Sequence, residues 1–128
     1  MADDNRYTYT TADDVLGGGK PLKEDNPVAL EASSVSRTDA GKILFAYGYN
    51  TSASLLFFQL FNATSLPVDT TVPRLSGIPV PASGTFSFSP RNDVIRFDTG
   101  IVWALSTTLA TLTVATAVGW VHLFHQDK

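Results

Sequence analysis

The sequence predicts an all-β fold, an antiparallel β-sandwich of the jelly-roll or Ig-like kind with an extended N-terminal arm. Three observations predict it. From Val28 onward, apolar residues recur at period two in short runs. Turn signals separate these runs at roughly the 8–12 residue spacing of sandwiches and barrels. No stretch makes a convincing amphipathic helix. The best rival, Leu105 to Ala117, is dense in threonine, which disfavours helix.

Residues 1–27 read as the arm. They hold six acidic and three basic side chains, so the formal net charge of −3 sits there, while residues 28–128 balance. Gly17-Gly18-Gly19 supplies a hinge, and Pro21 and Pro27 favour turns. Tyr7-Thr8-Tyr9-Thr10 alternates at period two with strong strand formers, which suits strand addition to a partner's edge. These four residues are the candidate partner-binding site.

Residues 28–128 read as the sandwich domain. Val28 to Ser36 is the first expected strand, closed by a turn at Thr38-Asp39-Ala40-Gly41. Lys42 to Tyr49 is the second, with Ile43, Phe45, Tyr47 and Tyr49 on one face. Asn50-Thr51-Ser52 turns the chain. Leu55 to Asn62 is apolar on both faces except for Gln59, as in a strand covered on two sides. Val72 to Val80 contains Pro73 and Pro79, with Pro81 just beyond. Proline donates no ladder hydrogen bond, so this run is an edge strand or an irregular extended segment. Thr85 to Ser89 alternates cleanly, with Phe86 and Phe88 inward. Val94 to Phe97, Ile101 to Ser106, Ala110 to Thr116 and Trp120 to His125 complete the set. The expected core is Phe45, Phe57, Leu60, Phe86, Phe88, Phe97, Ile101, Trp103, Leu112 and Val121.

Composition narrows the function. The 128 residues suit one domain, and 44% of them are apolar. Charged residues make up 16%, against about 25% in typical domains. A disordered chain and an electrostatic nucleic-acid binder both fit poorly. Without cysteine there is no disulfide, thiolate metal site or cysteine nucleophile. The N-terminus lacks the basic start and apolar run of a secretory signal, so folding in a cytoplasm is expected. Thr99 to Gln126 contains no Asp, Glu, Lys or Arg. Its many hydroxyls and its division into short β-branched runs make it buried strands rather than a membrane helix.

Candidate chemistry is sparse. His122 and His125 lie three apart, so on a strand they point to opposite faces and share no metal. Glu31, Asp39, Asp69, Asp93, Asp98 and Asp127 fall mostly in turns, where Asp is favoured for bonding its own backbone. No G-x-S-x-G elbow is present, and Gly17-Gly18-Gly19-Lys20 lacks the spacing of a phosphate loop. Asn50-Thr51-Ser52 and Asn62-Ala63-Thr64 match the glycosylation acceptor pattern by coincidence. Phe45, Tyr47, Tyr49, Phe57, Phe58 and Phe61 read mainly as core, with Tyr47 and Tyr49 the members that reach a surface to satisfy their hydroxyls. No catalytic, cofactor or metal residue is assigned, and the chain reads as a non-enzyme.

Phe57-Phe58-Gln59-Leu60-Phe61-Asn62-Ala63-Thr64-Ser65-Leu66-Pro67, Ile78-Pro79-Val80-Pro81-Ala82-Ser83-Gly84 and Phe97-Asp98-Thr99-Gly100-Ile101-Val102-Trp103-Ala104-Leu105-Ser106-Thr107-Thr108 carry a resemblance. Together they resemble small β-sandwich virion proteins of tailed bacteriophages, over about residues 42–125. The resemblance implies a head decoration, head fibre, neck or tail component made in the host cytoplasm and located in the virion. It implies self-association, with a trimer favoured by analogy, and contact with other virion proteins such as the major capsid protein. Neither nucleic acid nor membrane is an expected partner. The alternative is a glycan- or receptor-binding sandwich module of a fibre or tail.

Overall fold

β-branched and aromatic runs, punctuated by Gly, Pro and Asn, form nine strands among the described residues. The structure is a computed structural model that describes residues 20–90 and 95–127. The strands are β1 (Lys23–Asp25), β2 (Ser33–Arg37), β3 (Gly41–Asn50), β4 (Leu56–Phe61), β5 (Leu75–Val80), β6 (Gly84–Phe88), β7 (Ile95–Phe97), β8 (Ile101–Ser106) and β9 (Gly119–Asp127). All pair antiparallel, and no described residue is helical. Among the described residues no helix is long and apolar enough to cross a membrane.

The first sheet runs β1-β9-β3-β6, with β7 also pairing β3, and the second runs β2-β8-β4-β5. β3 is long enough to pair β7 through Gly41–Ile43 and β6 through Ala46–Asn50. The core lies between the sheets. Ile43, Ala46, Phe86, Phe97, Val121 and Leu123 from the first meet Leu56, Phe58, Leu60, Ile101, Trp103 and Leu105 from the second. Fully burying one such large apolar side chain contributes about 1.5–3 kcal/mol.

The second sheet is covered on its outer side as well. Phe61, Val102 and Ala104 point outward there, yet all are buried beneath Leu112 and Val114 of the loop after β8. This explains why β8 is buried at every position and why β4 is apolar on both faces. Gln59, also outward and fully buried, donates through Nε2 to the carbonyls of Thr108, Leu109 and Thr111 at 2.9, 3.1 and 3.3 Å. A second loop locks onto the first through Thr70 N–H to Leu112 O (2.6 Å) and Leu112 N–H to Thr71 O (2.9 Å).

Several expectations need correcting. Ala110 to Thr116 is not a strand. Only an isolated bridge joins Val114 to Ser106, and side-chain hydroxyls take over the hydrogen bonding. Ser106 Oγ accepts from Thr113 N–H and Thr108 N–H at 3.0 and 3.1 Å, so the segment closes into a loop. Ile43 does not share a face with Phe45, Tyr47 and Tyr49. A register shift pairs Phe124 with Phe45 and His125 with Ile43, which inserts Leu44 as an extra residue and turns Ile43 inward. Phe45 is therefore half-buried on the outer face rather than in the core. Phe57 is likewise half-buried, on the outer side of the second sheet, and Phe88 packs against the core while partly exposed. The acidic segment does not stay apart over its whole length, because Lys23–Asp25 pairs with β9 as an edge of the first sheet. Tyr7, Thr8, Tyr9 and Thr10 lie outside the described residues, as does Asp93.

Candidate functional site

The outer face of the first sheet is aromatic. Side chains alternate along β3 and β9, and their register sets Tyr49 opposite Trp120, Tyr47 opposite His122 and Phe45 opposite Phe124. All six rings are half-buried. His122 stacks on Phe124 with centroids 4.6 Å apart and planes 8° from parallel. Phe45 lies 6.0 Å from Phe124. At the other end, Trp120 meets Tyr47 edge to face, at 5.9 Å and 86°.

A polar chain crosses this face. The Tyr47 hydroxyl lies 3.1 Å from His122 Nδ1, and His122 Nε2 lies 2.8 Å from Glu24 Oε1. In the neutral ring, Nε2–H donates to Glu24, which leaves Nδ1 to accept from Tyr47. β1 makes this possible by setting Glu24 opposite Phe124. Beyond β1 the chain passes Trp120, and Asn26, Pro27, Ala29 and Leu30 wall an open depression of about 610 Å³ floored by Tyr47, Trp120 and His122.

A second polar group ties the sheets together at the edge where β1 lies. Arg37 of β2 reaches His125 Nδ1 at 3.2 Å and Asp127 Oδ1 at 2.7 Å, both on β9, and Asp39 at 2.8 Å. Arginine only donates, so His125 Nδ1 must be the acceptor and the ring neutral. Burial, and then the Arg37 cation, lower the His125 imidazole from 6.5 to about 4. Hydrogen bonds from Arg37 and then Lys23 hold the Asp127 carboxyl below the usual carboxylate range. Asp25 Oδ2 accepts from Ser36 Oγ at 2.7 Å and from the buried Trp103 indole N–H at 3.4 Å. These contacts read as structural joints between sheets.

No family model, curated protein or solved structure matches the chain.

The two histidines do point to opposite faces, His122 outward and half-buried, His125 inward and buried. Among the described residues no three His, Asp or Glu side chains are grouped to hold a metal. Tyr47 and Tyr49 reach the outer surface as expected, while Phe58 and Phe61 are buried. The face includes Trp120, His122 and Phe124, which sequence reasoning did not join to it. The signal was there: Trp120-x-His122-x-Phe124 repeats the period-two aromatic spacing of Phe45-x-Tyr47-x-Tyr49. Asn50 is fully buried and donates to the carbonyls of Ser54, Val80 and Pro81, so its amide serves the fold rather than a glycan.

Proposed function

We propose that this chain is a non-enzymatic structural protein of a tailed-phage virion, a head decoration or head- or neck-associated component. It assembles through a jelly-roll or Ig-like sandwich and its N-terminal arm. The observation that supports this reading most is where exposed apolar side chains lie. Val68, Val72 and Leu109 are 78%, 73% and 50% exposed, on the two loops that hydrogen-bond to each other over the second sheet, while Val28 and Leu30, 91% and 50% exposed, lie in the connection from β1 to β2. Single exposed apolar residues are ordinary, but a set of them on one loop layer suits a surface that a neighbour covers. The neighbours on this reading are further copies of the chain, as a trimer by analogy, and the major capsid protein. The resemblance of residues 42–125 and the low charge support the same conclusion.

The test is a double variant, Val68→Asp with Val72→Asp, followed by sedimentation velocity and by quantifying the protein in purified particles. The parent chain should form multimers and appear stoichiometrically in particles, and the folded double variant should do neither. A parent chain that stays monomeric and is absent from particles overturns the reading.

A further inference from the structure

The depression beside Trp120 plays no part in assembly through the loop layer, since it lies on the outer face of the opposite sheet. Its makeup points to a ligand of a particular kind. Trp120 and Tyr47 stand at 86°, so their rings form a corner rather than a flat wall. The face of an aromatic ring is electron-rich and attracts weakly positive C–H groups. Next to the corner, the chain from Tyr47 through His122 ends on Glu24, a carboxylate with 39% of its side chain exposed. Its remaining lone pairs face solvent as hydroxyl acceptors. Asn26 adds an exposed amide that both donates and accepts. Among the described residues neither Lys nor Arg lines the depression, so nothing described there favours an anionic ligand. A wholly apolar ligand would strip water from Asn26 in the wall and return no hydrogen bonds.

A neutral sugar satisfies both halves, because a pyranose has an apolar C–H face and a rim of hydroxyls. We infer that this depression is a binding site for a neutral saccharide. The sugar stacks on Trp120 and Tyr47 and hydrogen-bonds to Asn26 in the wall and, at the margin beyond His122, to Glu24. The volume of about 610 Å³ lies within the range of small-molecule sites, about 300–1,000 Å³. His122 acts as a positioning residue. Held at both ring nitrogens, it fixes the Tyr47 ring and the Glu24 carboxylate relative to each other.

The chain's two tryptophans provide the readout. Trp103 is fully buried with its indole N–H on Asp25, whereas Trp120 borders the depression. The full chain, labelled with nitrogen-15, is titrated with cellobiose, N,N′-diacetylchitobiose and maltose in turn. At least one sugar should shift the Trp120 indole resonance saturably and leave that of Trp103 in place, with a dissociation constant on the order of 1 mM. Glu24→Gln should weaken binding about three- to tenfold, and Trp120→Ala should abolish it. An undisturbed Trp103 resonance certifies that each variant is folded. The Val68→Asp, Val72→Asp variant should bind as the parent does, so sugar binding and assembly fail separately. The inference is overturned if no sugar moves Trp120 up to about 20 mM, or if binding survives in Trp120→Ala. It is also overturned if tetramethylammonium moves the Trp120 resonance where the sugars do not, since that describes a cation cage.

Discussion

Arg37 and Asn50 show how much single polar side chains hold this sandwich together. The Arg37 side chain is 4% exposed, and its guanidinium joins the second sheet to His125 and Asp127 of the first. His125 must remain neutral to accept from it, which couples stability to pH. The folded imidazole titrates near 4 and the unfolded one near 6.5. Between these values only the unfolded chain takes up the proton, so stability falls as pH drops from 6.5 to 4 and this contribution then levels off. The loss should amount to at most about 3.5 kcal/mol, measured as a falling urea midpoint. The Asp127 carboxylate, held down by Arg37, adds a further loss as pH falls below its ordinary range. A midpoint unchanged from pH 7 to 4 would show that His125 can charge in place. Asn50 fills its amide entirely. Nδ2 serves three carbonyls, and Oδ1 accepts from Ser52 N–H and Oγ at 2.9 and 2.7 Å. Asn50→Ala leaves several of these groups without a partner and should cost about 2–3 kcal/mol, read from the same urea curves.

At the scale of elements, most strands were legible because their apolar period and bounding turns agree. Ile101–Ser106 matches its expected limits, and Val72 to Val80 narrows to an edge strand at Leu75–Val80. The two-sided pattern of β4 also gave correct notice of a covering layer. What fills that layer was hidden, because Ala110 to Thr116 has strand-like composition while its hydrogen bonds go to Ser106 and to Thr70 and Thr71. Bulges were equally hidden. The extra residue at Leu44 reverses Ile43, and Gly77, at φ 85° in β5, sits where the pairing with β4 shifts register. The aromatic face was only half legible, since its two contributing strands are some 70 residues apart in sequence and only pairing brings them together. The covering loop yields a prediction of its own. Leu112 is fully buried at its centre, so Leu112→Ala should cost about 2–5 kcal/mol. Hydrogen exchange should then quicken first at Thr70 and Leu112, before the amides of β3 and β9. Uniform loss across both sheets would show that loop and sandwich unfold as one unit.

The whole molecule is asymmetric. One sheet is covered on its inner side by the other sheet and on its outer side by loops, whereas the other presents aromatic rings outward and ends in a clean edge strand. Among the described residues no strand pairs with β6 on the side away from β3. The other edges receive a strand poorly. β5 carries Pro79 and the Gly77 bulge, β2 is interrupted by a register shift between Val35 and Arg37, and β1 has three residues. On the assembly reading, β6 is therefore the edge that takes Tyr7-Thr8-Tyr9-Thr10 from a neighbouring copy. Thr85 and Ser87 flank that edge with exposed hydroxyls, and two tyrosine rings would come to lie on one face of the added strand. Ordering about ten residues costs on the order of 10–20 kcal/mol of backbone entropy, so only extensive pairing holds such a segment in place. Deleting residues 1–19 tests this without disturbing β1, which starts at Lys23. The shortened chain should keep its far-ultraviolet β signature and its urea midpoint, yet sediment as a monomer and fail to enter particles. If it assembles as well as the full chain, the tyrosine segment has no connecting role and the loop layer around Val68 and Val72 must carry assembly alone.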